Sequence, residues 1–388
     1  MVRKRRSEII SWFLEPFIPR RGQGHQPDFV LLVILGVLLF MGLLFLSSAS
    51  STMAFYKFGD TYFYVKQQLV HGLLIGAILF YICIRINFDW YRRMAPLFLL
   101  GSLALLGLVF ISNFVNHYGT ARSWIVLGNF SFQPSELVKL FYILFLAGWC
   151  DRLGRKVGDW STGFLPFIFL LATICLLIIL QPDIGTLSII VLVSLAMYFA
   201  AGAKWKHLGI IVVAGSIFLV TMIKFAAYRM SRILVWLHPD LDPQGAGWQI
   251  KQSLIAIGSG GWFGVGLGSS RQKSYLPQPA NDSIFPIISE EIGFVFTAIF
   301  LLLFVILIFR GFKIARHSED NFAKLTAIGI TVWLAVQIFI NIAGMTNLLP
   351  MTGVPLTFIS LGGSNLAVSL AAMGILANIS KYTGYARI

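Results

Sequence analysis

Charge is scarce in this chain. Asp, Glu, Lys and Arg make up 12% of its 388 residues, against 57% that are hydrophobic. A water-soluble chain of this length exposes far more charge, so a soluble enzyme is excluded. Cysteine is nearly absent. Cys83, Cys150 and Cys175 lie within or beside apolar runs without paired spacing, which points to buried thiols rather than a disulfide framework. No basic face interleaved with aromatics sits on a soluble domain, so nucleic acid is not an expected partner. A cleavable signal is not expected either, because the first apolar run is too long and lacks a small-residue cleavage site.

What is present is apolar sequence in long runs. FVLLVILGVLLFMGLLFLSS begins at Phe29 and IGFVFTAIFLLLFVILIF at Ile292. Both are long enough to cross a bilayer without a charge. The fold expected is all-α, a polytopic membrane protein of about ten transmembrane helices. The spans begin near Phe29, Gln68, Met94, Pro134, Trp160, Ile184, His207, Phe285, Phe322 and Gly353. The last two come from one uncharged run between Lys324 and Lys381. That run is too long for one helix, and Pro350, Gly353 and Pro355 supply the break.

With a cytoplasmic N-terminus, the inner segments hold nineteen Lys/Arg and the outer ones eight. This asymmetry places both termini on the cytoplasmic side of the cytoplasmic membrane, as an even number of spans requires. The division that follows is a basic N-terminal segment (1–27), a transmembrane domain (28–380) and a cytoplasmic tail (381–388). Most of the formal charge of +14 is then positive-inside bias, and MVRKRR is expected to anchor on anionic membrane lipid.

The one sizeable water-exposed segment runs from about residue 228 to 284, between spans 7 and 8, and is rich in Gly, Pro and charge. A loop this long in a compact protein is usually functional. Polar residues in spans point to the same side. Pro134 opens a helix, Glu136 falls in its first turn, and Lys139 lies three residues on, within pairing reach. Either the pair is structural, or it faces a polar cavity and touches a substrate. Asp183, at a short outer turn, reads as a helix cap.

SFQPSELVKL, LQPDIGT, YRMSRI with DPQGAGWQ, AIGSGGWFGVGLGSSRQK, SEEIGF and NLLPMTGVPLTFISLGGSN occur in one order along the spans. Together they resemble the FtsW/RodA/SpoVE family, the SEDS proteins of bacterial cell-wall synthesis, from about Asp28 to Ser380. GLGSSRQK and YRMSRI are more similar to the FtsW, or division, branch than to RodA. The resemblance implies a peptidoglycan glycosyltransferase that polymerises lipid II on the outer face of the cytoplasmic membrane. It also implies a class B penicillin-binding protein (an FtsI-like transpeptidase) and other divisome proteins as partners. The family's catalytic aspartate sits in a segment that commonly reads LPEAHTDFIF. Here the matching residues are LPQPANDSIF, which keeps the aspartate as Asp282 and places Gln278, Ala280, Asn281 and Ser283 where Glu, His, Thr and Phe are usual.

The chemistry fits these residues independently. Joining sugars from a lipid-diphosphate donor needs a base for the acceptor hydroxyl and cations for the leaving group. A carboxylate at the membrane boundary suits the first task, since desolvation raises its pKa towards working pH. Asp282 is the expected base, and it would also serve as a helix N-cap. Arg229, Arg232, Arg271 and Lys273 of the loop, with Lys139, are expected at the diphosphate, Arg by its planar fork. Glu136, Trp124 and Glu291 complete the expected substrate contacts. SGGWFGVGLGSS reads either as a backbone wrap around diphosphate or as a flexible re-entrant turn. Glu290 and Glu291 open the eighth span, and one of them is open to a divalent cation (Mg2+ or Mn2+) or to a loop arginine. Two other classes stay open: a lipid-linked precursor flippase, which needs polar residues reaching both faces, and a non-catalytic scaffold.

Overall fold

A computed structural model describes residues 25–111, 115–118, 121–127, 130–224 and 227–383. Most of MVRKRR's segment and the end of the tail lie outside the described residues. Twelve helices follow in order among the described residues. They are α1 (Phe29–Phe58), α2 (Phe63–Arg85), α3 (Phe88–Ile111), α4 (Pro134–Leu153), α5 (Trp160–Ile179) and α6 (Ile184–Ala200). After these come α7 (Trp205–Lys224), α8 (Ala227–Leu237), α9 (Ala246–Ser259), α10 (Ile284–Arg316), α11 (Asn321–Met345) and α12 (Gly363–Ser380). Seven of them, α1, α2, α3, α5, α10, α11 and α12, are long and apolar enough to cross a membrane. α6 is shorter, as is the apolar part of α7, and α4 carries Glu136, Lys139, Asp151 and Arg152 in its twenty residues.

The helix starts follow local chemistry. Asp28, Asp183 and Asp320 each accept from a backbone N–H of the first turn beyond them, capping α1, α6 and α11. Pro134 stands at the start of α4, where its missing N–H costs nothing. The expected capping role of Asp183 is thus what the structure shows.

α11 and α12 form the centre of the bundle, and every residue of α12 from Ser364 to Ser380 is buried. Small residues allow this. A Cβ on Gly76 of α2 would lie 3.1 Å from the Ala367 backbone of α12, and one on Gly374 would lie 2.6 Å from Phe80 O. Close backbone approach of this kind drives helix association where lipid removes the hydrophobic incentive.

Three features depart from the sequence expectation. The segment between spans 3 and 4 folds as a three-stranded antiparallel sheet, β1 (Val115–Tyr118), β2 (Ala121–Leu127) and β3 (Phe130–Phe132), with Ile125 paired to both Val115 and Phe132. The 228–284 segment is largely ordered, holding α8 and α9. The last span begins at Gly363 rather than near Gly353. Residues 351–362 instead run as non-helical backbone buried against the bundle, with Leu356, Thr357, Phe358 and Ile359 almost fully enclosed. Pro355 lacks an N–H, and Gly353 and Phe358 hold φ of 74° and 68°, which ends helical continuity. Non-helical backbone at such depth survives only when protein groups satisfy it. Here they do: Gln337 donates to Pro355 O, Asn341 to Val354 O, and Gln68 both donates to Ser360 O and accepts from Gly362 N.

Candidate functional site

Asp282 lies just before α10. It does not cap that helix, because the cap position falls on Ser283. The Ser283 hydroxyl makes no capping bond either: it accepts from Gln249 Nε2 at 2.8 Å and donates to Pro277 O at 3.0 Å. One oxygen of the Asp282 carboxyl is buried without a hydrogen-bond partner. Burial pushes this carboxyl up to about 6, against the opposing pull of backbone N–H groups at Asp282 and Ser283, of the Gln249 amide, and of the Arg232 charge. The group therefore exchanges a proton near neutrality, which a general base requires.

The loop carrying Asp282 is fixed by three hydrogen bonds. Leu361 N donates to Ala280 O (2.8 Å), Ser360 Oγ to Asn281 O (2.6 Å) and Asn341 Nδ2 to Asp282 O (3.0 Å). Arg232, on α8, donates to Met351 O at 2.9 Å. Asp282, Arg232 and Gln249 thus meet around the buried 351–362 segment.

The Glu136–Lys139 pair occupies a separate place within the bundle, and both side chains are buried. Lys139 Nζ donates to Glu136 Oε1 (2.9 Å) and Gln337 Oε1 (2.8 Å), and lies 5.0 Å from the Trp333 ring centre. Asn365 Nδ2 donates to the other Glu136 oxygen at 2.8 Å. Both charges are satisfied by protein.

The other expected contacts are scattered. Trp124 is half-buried on β2, opposite Asn116. The Arg229 side chain lies outside the described residues. Arg271 is exposed, and Lys273 Nζ turns back to Gly268 O at 2.7 Å. Among the described residues, Glu290 pairs with no arginine side chain. Its carboxylate accepts from Ser270 Oγ and from the N–H groups of Arg271 and Gln272. Glu291 accepts from Ser48 Oγ of α1 and keeps its second oxygen unpartnered.

The glycine-rich segment braces α10. α10 breaks at Gly293 (φ 73°, ψ 179°). Val265 N and Gly266 N donate to the carbonyls of Glu290 and Glu291, while Phe294 N and Val295 N donate to Gly261 O and Trp262 O. These N–H groups, and that of Gly264, which bonds Gly260 O, are committed. Gln249, Gln337, Asn341, Ser360 and Asn365 are the site residues that the sequence reading passed over. The available signal was an amide pair four residues apart, Gln337 and Asn341, inside an apolar span.

A profile of the cell cycle protein family, FtsW/RodA/SpoVE, matches residues 29–385. The chain belongs to this family. Among FtsW/RodA/SpoVE relatives, stage V sporulation protein E of Bacillus subtilis is 41% identical over 93% of this chain and 98% of its own length. A probable peptidoglycan glycosyltransferase FtsW of Trichlorobacter lovleyi is 39% identical over 91% and 93%. A solved chain from a peptidoglycan synthase complex that coordinates polymerization and crosslinking superposes with a TM-score of 0.78 at 25% identity, covering 92% of this chain and 99% of that one. The rod shape determining protein RodA of Thermus thermophilus shares the fold, with a TM-score of 0.68 at 24% identity and coverage of 92% and 98%.

Proposed function

We propose that this FtsW/RodA/SpoVE protein polymerises lipid II into glycan strands at the outer face of the cytoplasmic membrane, in septal wall synthesis, with Asp282 as the general base. One observation carries the reading: a carboxyl with an unpartnered oxygen and a pKa raised to about 6, on a loop held by three hydrogen bonds and beside a guanidinium. The relatives called FtsW support the reaction class.

In the reaction, Asp282 takes the proton of the acceptor 4-hydroxyl. The oxygen forms a bond to the donor's anomeric carbon as the bond from that carbon to the phosphate oxygen breaks. The electron pair leaves with the lipid diphosphate, and Asp282 returns its proton to water. Arg232 is a cation whose charge acts on Asp282, and it favours the ionised base before the reaction. Lys139 does not serve the leaving group, because its ammonium is enclosed and already bonded.

The described residues do not fit a protein-built cage for Mg2+ or Mn2+. No three metal-binding side chains converge among them, and Glu290 is saturated by three donors. A divalent cation is proposed only as a companion of the diphosphate, held by phosphate oxygens.

The partner proposed is a class B penicillin-binding protein that crosslinks the strands, with other divisome proteins around the pair. The deciding experiment incubates the purified protein, with and without its cognate transpeptidase, with labelled lipid II and resolves glycan strands. Strand formation that Asp282→Asn slows on the order of 100- to 10,000-fold is expected; equal strand formation by that variant removes the assignment. Orientation has its own test. A cysteine at Gln244 should react with an impermeant maleimide on intact cells, and protection until permeabilisation would invert the topology.

A further inference from the structure

We propose that Asn341 is a positioning residue that sets the spacing between Asp282 and Arg232 by tying Asp282 to the stretch of buried, non-helical backbone that Arg232 also bonds. The inference rests on the reading of Asp282 as the base.

Asn341 is buried on α11 and uses one amide nitrogen twice, donating to Asp282 O at 3.0 Å and to Val354 O at 2.8 Å. Arg232 reaches the same stretch through Met351 O at 2.9 Å. The base and the cation therefore hang on backbone only three residues apart, and Asn341 is the side chain that joins the base to it. Ser360 acts in the same way from the far end of the segment, donating to Asn281 O while accepting from Leu356 N at 2.9 Å.

The clamp has a rigid backing. Gln337 lies one turn before Asn341 on α11, so the two amides share a face. Gln337 donates to Pro355 O and accepts from Lys139 and from Trp333 Nε1. Lys139 is held in turn by Glu136. The buried ion pair thus fixes Gln337, Gln337 and Asn341 fix the 354–355 backbone, and that backbone is the reference for Asp282. Reacting groups displaced by about 1 Å lose roughly 100-fold in rate, so such a reference has a kinetic value distinct from stability.

The test uses the full-length chain with its transpeptidase partner and labelled lipid II. Asn341→Asp keeps the shape of the side chain and replaces its N–H donors by acceptor-only oxygens. It should lower kcat roughly 10- to 100-fold with KM for lipid II unchanged, and should shift the acid limb of the pH profile. In an Asp282→Asn background the same substitution should cause no further loss, because its effect passes through Asp282. Ser360→Ala should act in the same direction with smaller size, and it decides the matter if Asn341→Asp does not fold. Wild-type kcat in both folded variants, or a loss that adds in full to that of Asp282→Asn, overturns the proposal while leaving the base assignment intact. An active Asp282→Asn protein overturns the base assignment itself.

Discussion

Glu136 has both carboxylate oxygens occupied, one by Lys139 and one by Asn365, whereas Asp282 keeps an oxygen with no partner. Glu136 is almost fully enclosed, while Asp282 is half-buried with one oxygen withdrawn from water. The first is neutralised and bonded in the way that makes a buried charge tolerable. The second is surrounded by weaker compensation: an amide, backbone N–H groups and a guanidinium that favours its charge without cancelling the cost of burial. Protein that only needs to hold its helices together satisfies its charges. Protein that moves a proton leaves one unsatisfied, at some cost in stability.

The largest way to separate the two sites is Asp282→Asn. The amide keeps the size of the side chain and cannot take a proton at working pH. Polymerisation should fall on the order of 100- to 10,000-fold. Stability should not fall with it. Raising an aspartate from 3.8 to about 6 means that its burial disfavours folding by roughly 3 kcal/mol above pH 6, a penalty relieved as pH falls towards 3.8. The neutral amide escapes that penalty, so the variant should melt at or above the wild-type temperature at pH 7.5. A parallel loss of melting temperature and activity would make Asp282 structural.

Glu136→Gln should give the opposite pattern. It leaves the Lys139 ammonium buried with its ionic partner gone, a defect worth about 3–5 kcal/mol. Activity and folding should be lost together, measured as strand formation and as melting of the protein in detergent. Replacing both partners, Glu136→Gln with Lys139→Met, should recover much of the melting temperature. A Glu136→Gln protein that melts normally yet fails to polymerise would instead place the pair in contact with substrate.

How much of this was legible in the sequence differs between the two sites. The pair was legible because Pro134, Glu136 and Lys139 follow one another at helical spacing, and that spacing is local. Asp282 was legible through its resemblance to a known segment. Its supports were not, because Asn341, Ser360 and Gln249 are distant in the chain and uncharged, so nothing marks them in an apolar or mixed run. The apolar runs announced the helices, but not that residues 351–362 stay non-helical. Pro350, Gly353 and Pro355 signalled a break, and its length depends on side-chain amides of α2 and α11 that only the folded bundle brings near. The strands at 115–132 escaped because short, mixed-polarity sequence between two spans reads as a loop. The glycine-rich run 258–268 is open in sequence to a backbone wrap or a re-entrant turn, and only the fold shows that Val265 N and Gly266 N bond the carbonyls of Glu290 and Glu291 just before Gly293.

That brace offers a third and intermediate test. Gly293 holds a φ of 73°, and a Cβ there would lie 2.2 Å from Gly264 N. Gly293→Ala should cost on the order of 1–3 kcal/mol from backbone strain, and more where the loop cannot give way. Its effect should fall on melting temperature first, and on polymerisation only through displacement of the α10 start and Asp282. If Gly293→Ala melts like wild type, the two backbones do not meet as closely as described.

The smallest expected effect concerns protons and sharpens the comparison most directly. With a carboxyl that titrates near 6, Asp282 is almost wholly ionised at pH 8 and half protonated at pH 6. The rate should therefore fall only about twofold between those values, and then about tenfold per unit below pH 5, as expected for one essential base. Removing Asp282 by Asp282→Asn should abolish the limb from any residual activity. A single-proton limb with its midpoint near pH 6 in wild-type kcat/KM, and none in the residual rate of the variant, ties proton uptake to this carboxyl. A limb that persists in the variant assigns the proton to another group, with Glu291 the next to test, since it is the other buried carboxylate at the head of α10 with an oxygen unpartnered.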